Sequence, residues 1–570
     1  MAPNKPQNSL VEVITDFKAI KDEIGLNVEE NSLYLALSLD ACKDVAPTLI
    51  KTPDGKYYLI VKEIERGTFA GNGRAASAVT SHQINMIYYG SYFTWEAIQK
   101  AVAPGAPTPA KALARVISVD AVTVNRDMPL DKYRGFKAQF RVTLKPDGKE
   151  AARAFVYEVD KKEVTSTYNK GRALAEKAAI ELVDSATVSN EDKTLIKENM
   201  AKYQGNTFPV LDKLMGQCNL PILLACSRIN VQELTALPWK LLKDSVLALY
   251  NGQQVFVISP KPLQNPLLKK PGEFKNLRAA LDSLIGDSSL GVEEKDLDIG
   301  RVLETGLDKV KNATDIFRAW REQTAHRDLP YYVISGHATR YAIENALAVI
   351  EKGIKSKKKL TEKDCEKEFL TQLNSFRLKY CPFTDMVKYF IVLHAGTRTY
   401  YAALASDFPL DAGINSLKLD AGALLFHDDI LRACSDMCRS LVYTEPGKAV
   451  YQLTEKSMLE AAIPAAKPGN TGADVYWAGV TPLVNMESKI REWGMLPPGV
   501  SIKDSYNRDI GHIVGKQEPV TLGFTKDQTS QKIQPGMIGC VEYQWPYQKH
   551  ALGIEDMYLV TDKRGIVISR

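Results

Sequence analysis

Leu419-Asp420-Ala421-Gly422 and Ser435-Asp436-Met437-Cys438-Arg439 open a series of short segments in the last third of the chain. The series continues with Gly511-His512-Ile513-Val514-Gly515, Cys540-Val541-Glu542-Tyr543 and Gly553-Ile554-Glu555-Asp556-Met557. Asp420, Asp436, His512, Glu542 and Glu555 together offer four carboxylates and one imidazole, a set able to hold two divalent metal ions. Four negative charges balance two dications, and oxygen ligands with a single nitrogen suit Mn, Co or Zn. Alternate residues of an extended strand share a face, so Lys418, Asp420 and Gly422 point one way, and on the next strand Cys434, Asp436 and Cys438 do. The two aspartates meet if these strands pair as a hairpin.

The order Asp, Asp, His, Glu, Glu resembles the pita-bread metallopeptidases. Pro535-Gly536-Met537 before the first glutamate and Val560-Thr561-Asp562 after the second strengthen the match. That family includes methionine aminopeptidase, aminopeptidase P, prolidase and creatinase, and several non-catalytic relatives that serve as histone chaperones or as ribosome- and RNA-associated proteins. The resemblance covers about residues 336–570. It implies that Asp420 chelates one metal and Asp436 bridges both, that His512 and Glu542 complete the second, and that Glu555 bridges. Glu542 would also relay a proton during catalysis.

Several positions depart from the family's pattern. The loop Phe426-His427-Asp428-Asp429-Ile430-Leu431-Arg432 is longer than usual between the aspartates. No histidine stands in Ala402-Ala403-Leu404-Ala405-Ser406-Asp407, where the resemblance places a substrate-facing one, and His394 is the nearest substitute. Gln517, in Gly515-Lys516-Gln517-Glu518-Pro519, occupies the place of a second. Gly553 stands where an arginine usually precedes the last glutamate. Such groups contribute about 10²-fold or more each to proton transfer and oxyanion stabilisation. His427 and His550 read as solvated loop histidines, Cys434 and Cys438 as buried packing, and Trp545 as a cleft wall.

Outward from this region, 570 residues require two or three domains. The fold class is α+β: a C-terminal pita-bread domain over 336–570, preceded by one or two mixed α/β domains at 1–160 and 161–335. Residues 113–125, 136–145 and 152–159 read as successive strands of an antiparallel meander, with a turn at Lys145-Pro146-Asp147-Gly148. Gly71-Asn72-Gly73-Arg74 is a turn without the strand and helix that a phosphate-binding fingerprint needs. Ala173, Leu174, Ala178, Ala179, Leu182 and Val183 form a helical apolar stripe. A helix is predicted at 238–250 between strands at 222–225 and 255–259, four prolines mark 260–271 as a loop, and 338–355 opens the last domain as a helix. A second set of helices from 447 to about 495 suggests two related halves, one supplying the aspartates and the other the histidine and glutamates.

A net charge of +5 gives no ground for nucleic acid as a partner, and Lys355 with Lys357–Lys359 reads as a solvated helix end. Eight cysteines without disulfide or metal-ligand spacing, a polar start and no membrane-length apolar run point to a cytoplasmic, non-secreted protein. Two functions follow: a metal-dependent peptidase of the Xaa-Pro type with altered activity, or an inactive relative that binds proteins or assembles a larger structure. The expected partner is a peptide substrate or a protein, with self-association among the options and no membrane.

Overall fold

The computed structural model describes residues 153–570 except 203–204, 244–245, 294–309, 397–404, 406–407, 497–498, 507–508, 517–520 and 548–549, together with five strands before residue 153. The expected turns at 71–74 and 145–148 and the stretch 402–404 lie outside these residues. Leu33–Leu37 and Val116–Ala121 flank Ala138–Leu144 in one antiparallel sheet, and Thr48–Lys51 pairs with Tyr57–Ile60.

Strand Ala154–Val159 does not continue that meander. It is the second strand of a seven-stranded sheet ordered Gly272–Phe274, Ala154–Val159, Val255–Ser259, Leu247–Tyr250, Ile222–Ala225, Leu290–Val292 and Val310–Asn312. The reason is burial on both faces. Tyr157, Val159, Leu223, Ala225, Ala248, Tyr250, Val255 and Val257 face one core, and Ala154, Val156, Ile222, Leu224, Leu247, Leu249 and Ile258 face another. This period-two split needs cover on both sides, supplied by helix Phe208–Cys218 with Phe317 and Trp320 on one and helix Leu277–Ile285 on the other. The same physics overturns the helix expected at 238–250. Leu247–Tyr250 is a strand buried along its whole length, after a single 3₁₀ turn at Trp239–Leu241; short apolar runs do not distinguish the two by periodicity. In helix Arg172–Ser185 the buried stripe is Ala175, Ala178, Ala179, Leu182 and Val183, while Ala173 and Leu174 are exposed.

The C-terminal region is built on an eight-stranded sheet. Its long helix, Leu329–Lys355, starts well before 338, with Pro330 in the first turn where its missing N–H costs nothing. Ala342, Ala346 and Ile350 are buried as the spacing requires, whereas Val349 is exposed. Two capping boxes, Thr361 with Asp364 and Thr471 with Asp474, open helices Glu362–Tyr380 and Gly472–Asn485, one in each expected half. Behind the aspartate strand Ser416–His427, Leu417, Leu419, Ala421 and Ala423 pack with the first helix pair. Behind the glutamate strands Ile538–Tyr547 and His550–Val560, Val541, Tyr543, Leu552 and Ile554 pack with the second. Trp545 belongs to that second core and donates to the Met495 carbonyl at 2.8 Å, so it turns away from the cleft. Neither His427 nor His550 is solvated: both are buried, against the Tyr331 and Thr444 hydroxyls.

A buried charge network joins this region to the one before it. Arg327 bonds Glu233 at 2.8 Å and Asp328 at 2.9 Å, Arg432 bonds Asp328 at 2.6 Å, and Lys516 bonds Asp328 at 2.9 Å and also Glu233. Burial alone would raise the Asp328 carboxyl, but Arg327, Arg432 and Lys516 hold it well below the ordinary carboxylate range. Lys516 directly follows Val514-Gly515, and the Gly515 carbonyl accepts from Arg321 at 2.9 Å. The loop after His512 is thereby anchored to the preceding region.

Candidate metal centre

Cross-strand register assembles the site. Asp420 lies opposite Cys438, Cys438 opposite Glu555, and Glu555 opposite Glu542, so these four positions form one row across four neighbouring strands. Directly opposed residues share a face of the sheet. Two residues along the strands, a second row holds Lys418 opposite Ser440 and Gly553 opposite Gln544. On the other side His512 lies opposite Cys540. Gly511 makes that pairing possible: its φ is +124°, and a Cβ there would stand 2.1 Å from the Cys540 carbonyl oxygen. Asp436 falls in the break between strands Ile430–Cys434 and Met437–Val442, and its carboxylate reaches the histidine.

All five expected metal ligands therefore converge, but they divide into two groups. In the first, Lys418 Nζ donates to Asp420 Oδ2 at 3.0 Å, Gln544 donates to Glu542, and Gln544 Nε2 also reaches Asp420 Oδ2 at 3.4 Å. Lys418 is only 2% exposed and Asp420 7%. The stem of Lys418 runs past Gly553, where an added Cβ would lie 2.7 Å from Lys418 Cδ and 2.6 Å from Cys438 Sγ. Lys418 thus fills the space that a side chain at 553 would need.

The second group is Asp436, His512, Cys540 and Glu555, whose ligand atoms all lie within 4.8 Å of one another. His512 Nε2 stands 3.5 Å from Asp436 Oδ2 and 3.5 Å from Cys540 Sγ. Metal–ligand bonds of ~2.0–2.3 Å give tetrahedral edges of roughly 3.3–3.8 Å, so two edges are already of the right length. The Ile513 carbonyl lies 3.1 Å from His512 Nδ1 and can only accept, which puts the ring proton on Nδ1 and turns the Nε2 lone pair to the cluster. Burial, then the charge of Asp436, pushes the Glu555 carboxyl well above the usual range. Burial also raises the Cys540 thiol to about 11, against the pull of His512 and with Asp436 adding. A cation bound among these groups would reverse both shifts.

His394 pairs with Lys418 across strand Asp385–Ala395, so it lies on the site face one strand beyond the aspartate. Gln517 lies outside the described residues. Lys418, Gln544 and Cys540 are the site residues that sequence reasoning missed; each stands two positions from an expected ligand, on the same face by strand alternation.

Residues 333–562 match metallopeptidase family M24. Among solved structures, the prolidase from Pyrococcus horikoshii OT3 is similar at 18% identity, over 64% of this chain and 98% of that one, with a TM-score of 0.50. The prolidase from Pyrococcus furiosus is similar at 16% identity, over 63% and 99%, with a TM-score of 0.48. The N-terminal domain of FACT complex subunit SPT16 from Cicer arietinum (chickpea) is similar at 14% identity, over 64% and 95%, with a TM-score of 0.49. No curated protein matches the chain.

Proposed function

Because its C-terminal domain, residues 333–562, belongs to metallopeptidase family M24, we propose that this chain keeps the family's cleft as a binding site for a peptide or protein segment and does not cleave it with a metal pair. The observation that carries this reading is the Lys418 ammonium, 3.0 Å from the Asp420 carboxylate inside the shell. A metal pair supplies an activated water and a polarised carbonyl. Half of such a pair would need the Asp420 carboxylate, whose Oδ2 here accepts from both Lys418 and Gln544. An ammonium and a dication ~4 Å apart repel by about 8 kcal/mol at an effective dielectric constant of ~20. The two-ion centre that the five ligands imply is therefore a poor fit to this chain. Catalytic roles for Glu542, His394 and Gln517 lose their basis with it, and Glu542 becomes the acceptor of Gln544.

One observation favours a second reading. Asp436, His512, Cys540 and Glu555 form a group able to hold one ion, and a single ion can activate water. Slow metal-dependent hydrolysis is the activity it would support. Among the described residues no helix is long and apolar enough to cross a membrane. The seven described cysteines are all free, which supports work in a reducing compartment such as the cytoplasm.

The test is to load the full chain with Mn, Co or Zn, and to measure both binding and turnover of Xaa-Pro peptides and of longer unstructured peptides. Saturable binding without turnover is the expected result. Xaa-Pro turnover at rates ordinary for enzymes, about 1–10³ s⁻¹, would contradict the reading.

A further inference from the structure

We infer that the chain binds one divalent ion of the softer kind, zinc in preference to manganese, through Asp436, His512, Cys540 and Glu555, with the Cys540 thiolate as a ligand. The limit of one ion rests on the reading above, that Lys418 and Gln544 hold the remaining carboxylates; the ligand set stands on its own geometry.

That geometry differs from the five-residue set in one decisive way. Glu542 lies in the row of Asp420 and Glu555, but its Oε1 accepts from Gln544. Cys540, two residues earlier on the same strand, lies directly opposite His512, with Sγ 3.5 Å from Nε2. The chain thus presents one imidazole nitrogen, one sulfur and two carboxylates within 4.8 Å of one another. All four side chains are buried or nearly so, and the histidine's other nitrogen is fixed by a backbone carbonyl. Thiolate with imidazole suits zinc, whereas manganese prefers oxygen ligands alone.

With all four carboxylates ionised, Cys540 a thiolate and Lys418 charged, the cleft carries four negative charges, and one dication reduces this to two. On binding, the Cys540 thiol gives its proton to solvent and the sulfur lone pair forms the bond to the ion. A second dication would have to stand against the Lys418 ammonium.

The experiment is a cobalt titration of the full chain after removal of metal by chelator. The expected spectrum has tetrahedral bands in the visible and a thiolate-to-cobalt charge-transfer band in the near ultraviolet, both saturating at one equivalent. Cys540→Ser should abolish the near-ultraviolet band and keep visible bands. It should also weaken zinc binding by more than the roughly 10–100-fold that outer-sphere changes cost. Cys438→Ser, which alters a neighbouring buried thiol, should keep the band and shows whether a loss reflects misfolding. Lys418→Leu should admit a second equivalent. Absence of the charge-transfer band at saturation would overturn the assignment of Cys540, and wild-type saturation at two equivalents would overturn the single ion. Xaa-Pro turnover by the one-cobalt protein at about 1–10³ s⁻¹ would contradict the proposed function and leave this ligand set standing.

Discussion

Lys418 Nζ and Asp420 Oδ2 lie 3.0 Å apart on one strand, both side chains buried, and the lysine stem occupies the space beside Gly553. An internal cation has entered a cleft whose acidic groups would otherwise face each other. Replacing Lys418 with leucine leaves Asp420 buried without its charge partner. The metal-free variant should lose about 3–5 kcal/mol of stability, as breaking a buried pair does. Chemical denaturation measures this. The loss should shrink when divalent metal is added, and an unchanged midpoint would show that the pair is not formed.

Gly553 matters because nothing can be added to it cheaply. A Cβ there would stand 2.6 Å from Cys438 Sγ and 2.7 Å from Lys418 Cδ. Gly553→Ala should therefore cost about 1–3 kcal/mol through overpacking. It should also displace Lys418 from Asp420. In Lys418→Leu the same glycine substitution should cost less, and equal costs in the two backgrounds would contradict the contact.

Asp328 joins the two regions through Arg327, Arg432 and Lys516. Asp328→Asn should destabilise the protein by about 3–5 kcal/mol, measured by urea titration. Because Lys516 follows the loop of His512, metal affinity should fall as well. A loss below about 1 kcal/mol, the level of an exposed pair, would contradict a buried network.

In the metal-free protein two sets of groups should lower stability as acid is added, against the opposite effect of the raised Glu555 carboxyl. Burial, with Arg327 adding, lowers His326 to about 4, and burial with Arg340 lowers His337 to about 4. The unfolded imidazoles take protons near pH 6.5, so the unfolded state binds more protons between about 6.5 and 4 and stability falls as pH drops through that window. Asp328 titrates far below its unfolded value, so its contribution is present above pH ~4 and is lost as pH falls further. Urea midpoints from pH 7 downward test this. His337→Gln should remove part of the first slope, and an identical slope in the variant would contradict it.

Much of this site was legible in the chain, and the limits of that reading are physical. The order Asp420, Asp436, His512, Glu542, Glu555 identified the C-terminal fold, because each residue sits in a recognisable local context. Strand alternation even placed Lys418 on the face of Asp420, but a lysine in a strand ordinarily reaches solvent, and only its register opposite Ser440, with its stem packed beside Gly553, shows that this one cannot. Cys540 escaped notice because its partner, His512, lies 28 residues earlier in the chain. The strand at Ala154–Val159 was legible as a strand, whereas its pairing with Val255–Ser259, about a hundred residues later, was not. The helix expected at 238–250 failed because a short run buried on both faces has no period to read.

Anomalous diffraction from crystals of the full chain grown with zinc would count the ions in the cleft. A single peak beside His512 and Cys540, with the Lys418 side chain still bonded to Asp420, is the predicted result. Two peaks bridged by Asp436 and Glu555, with Asp420 and Glu542 as ligands and Lys418 turned away, would contradict it.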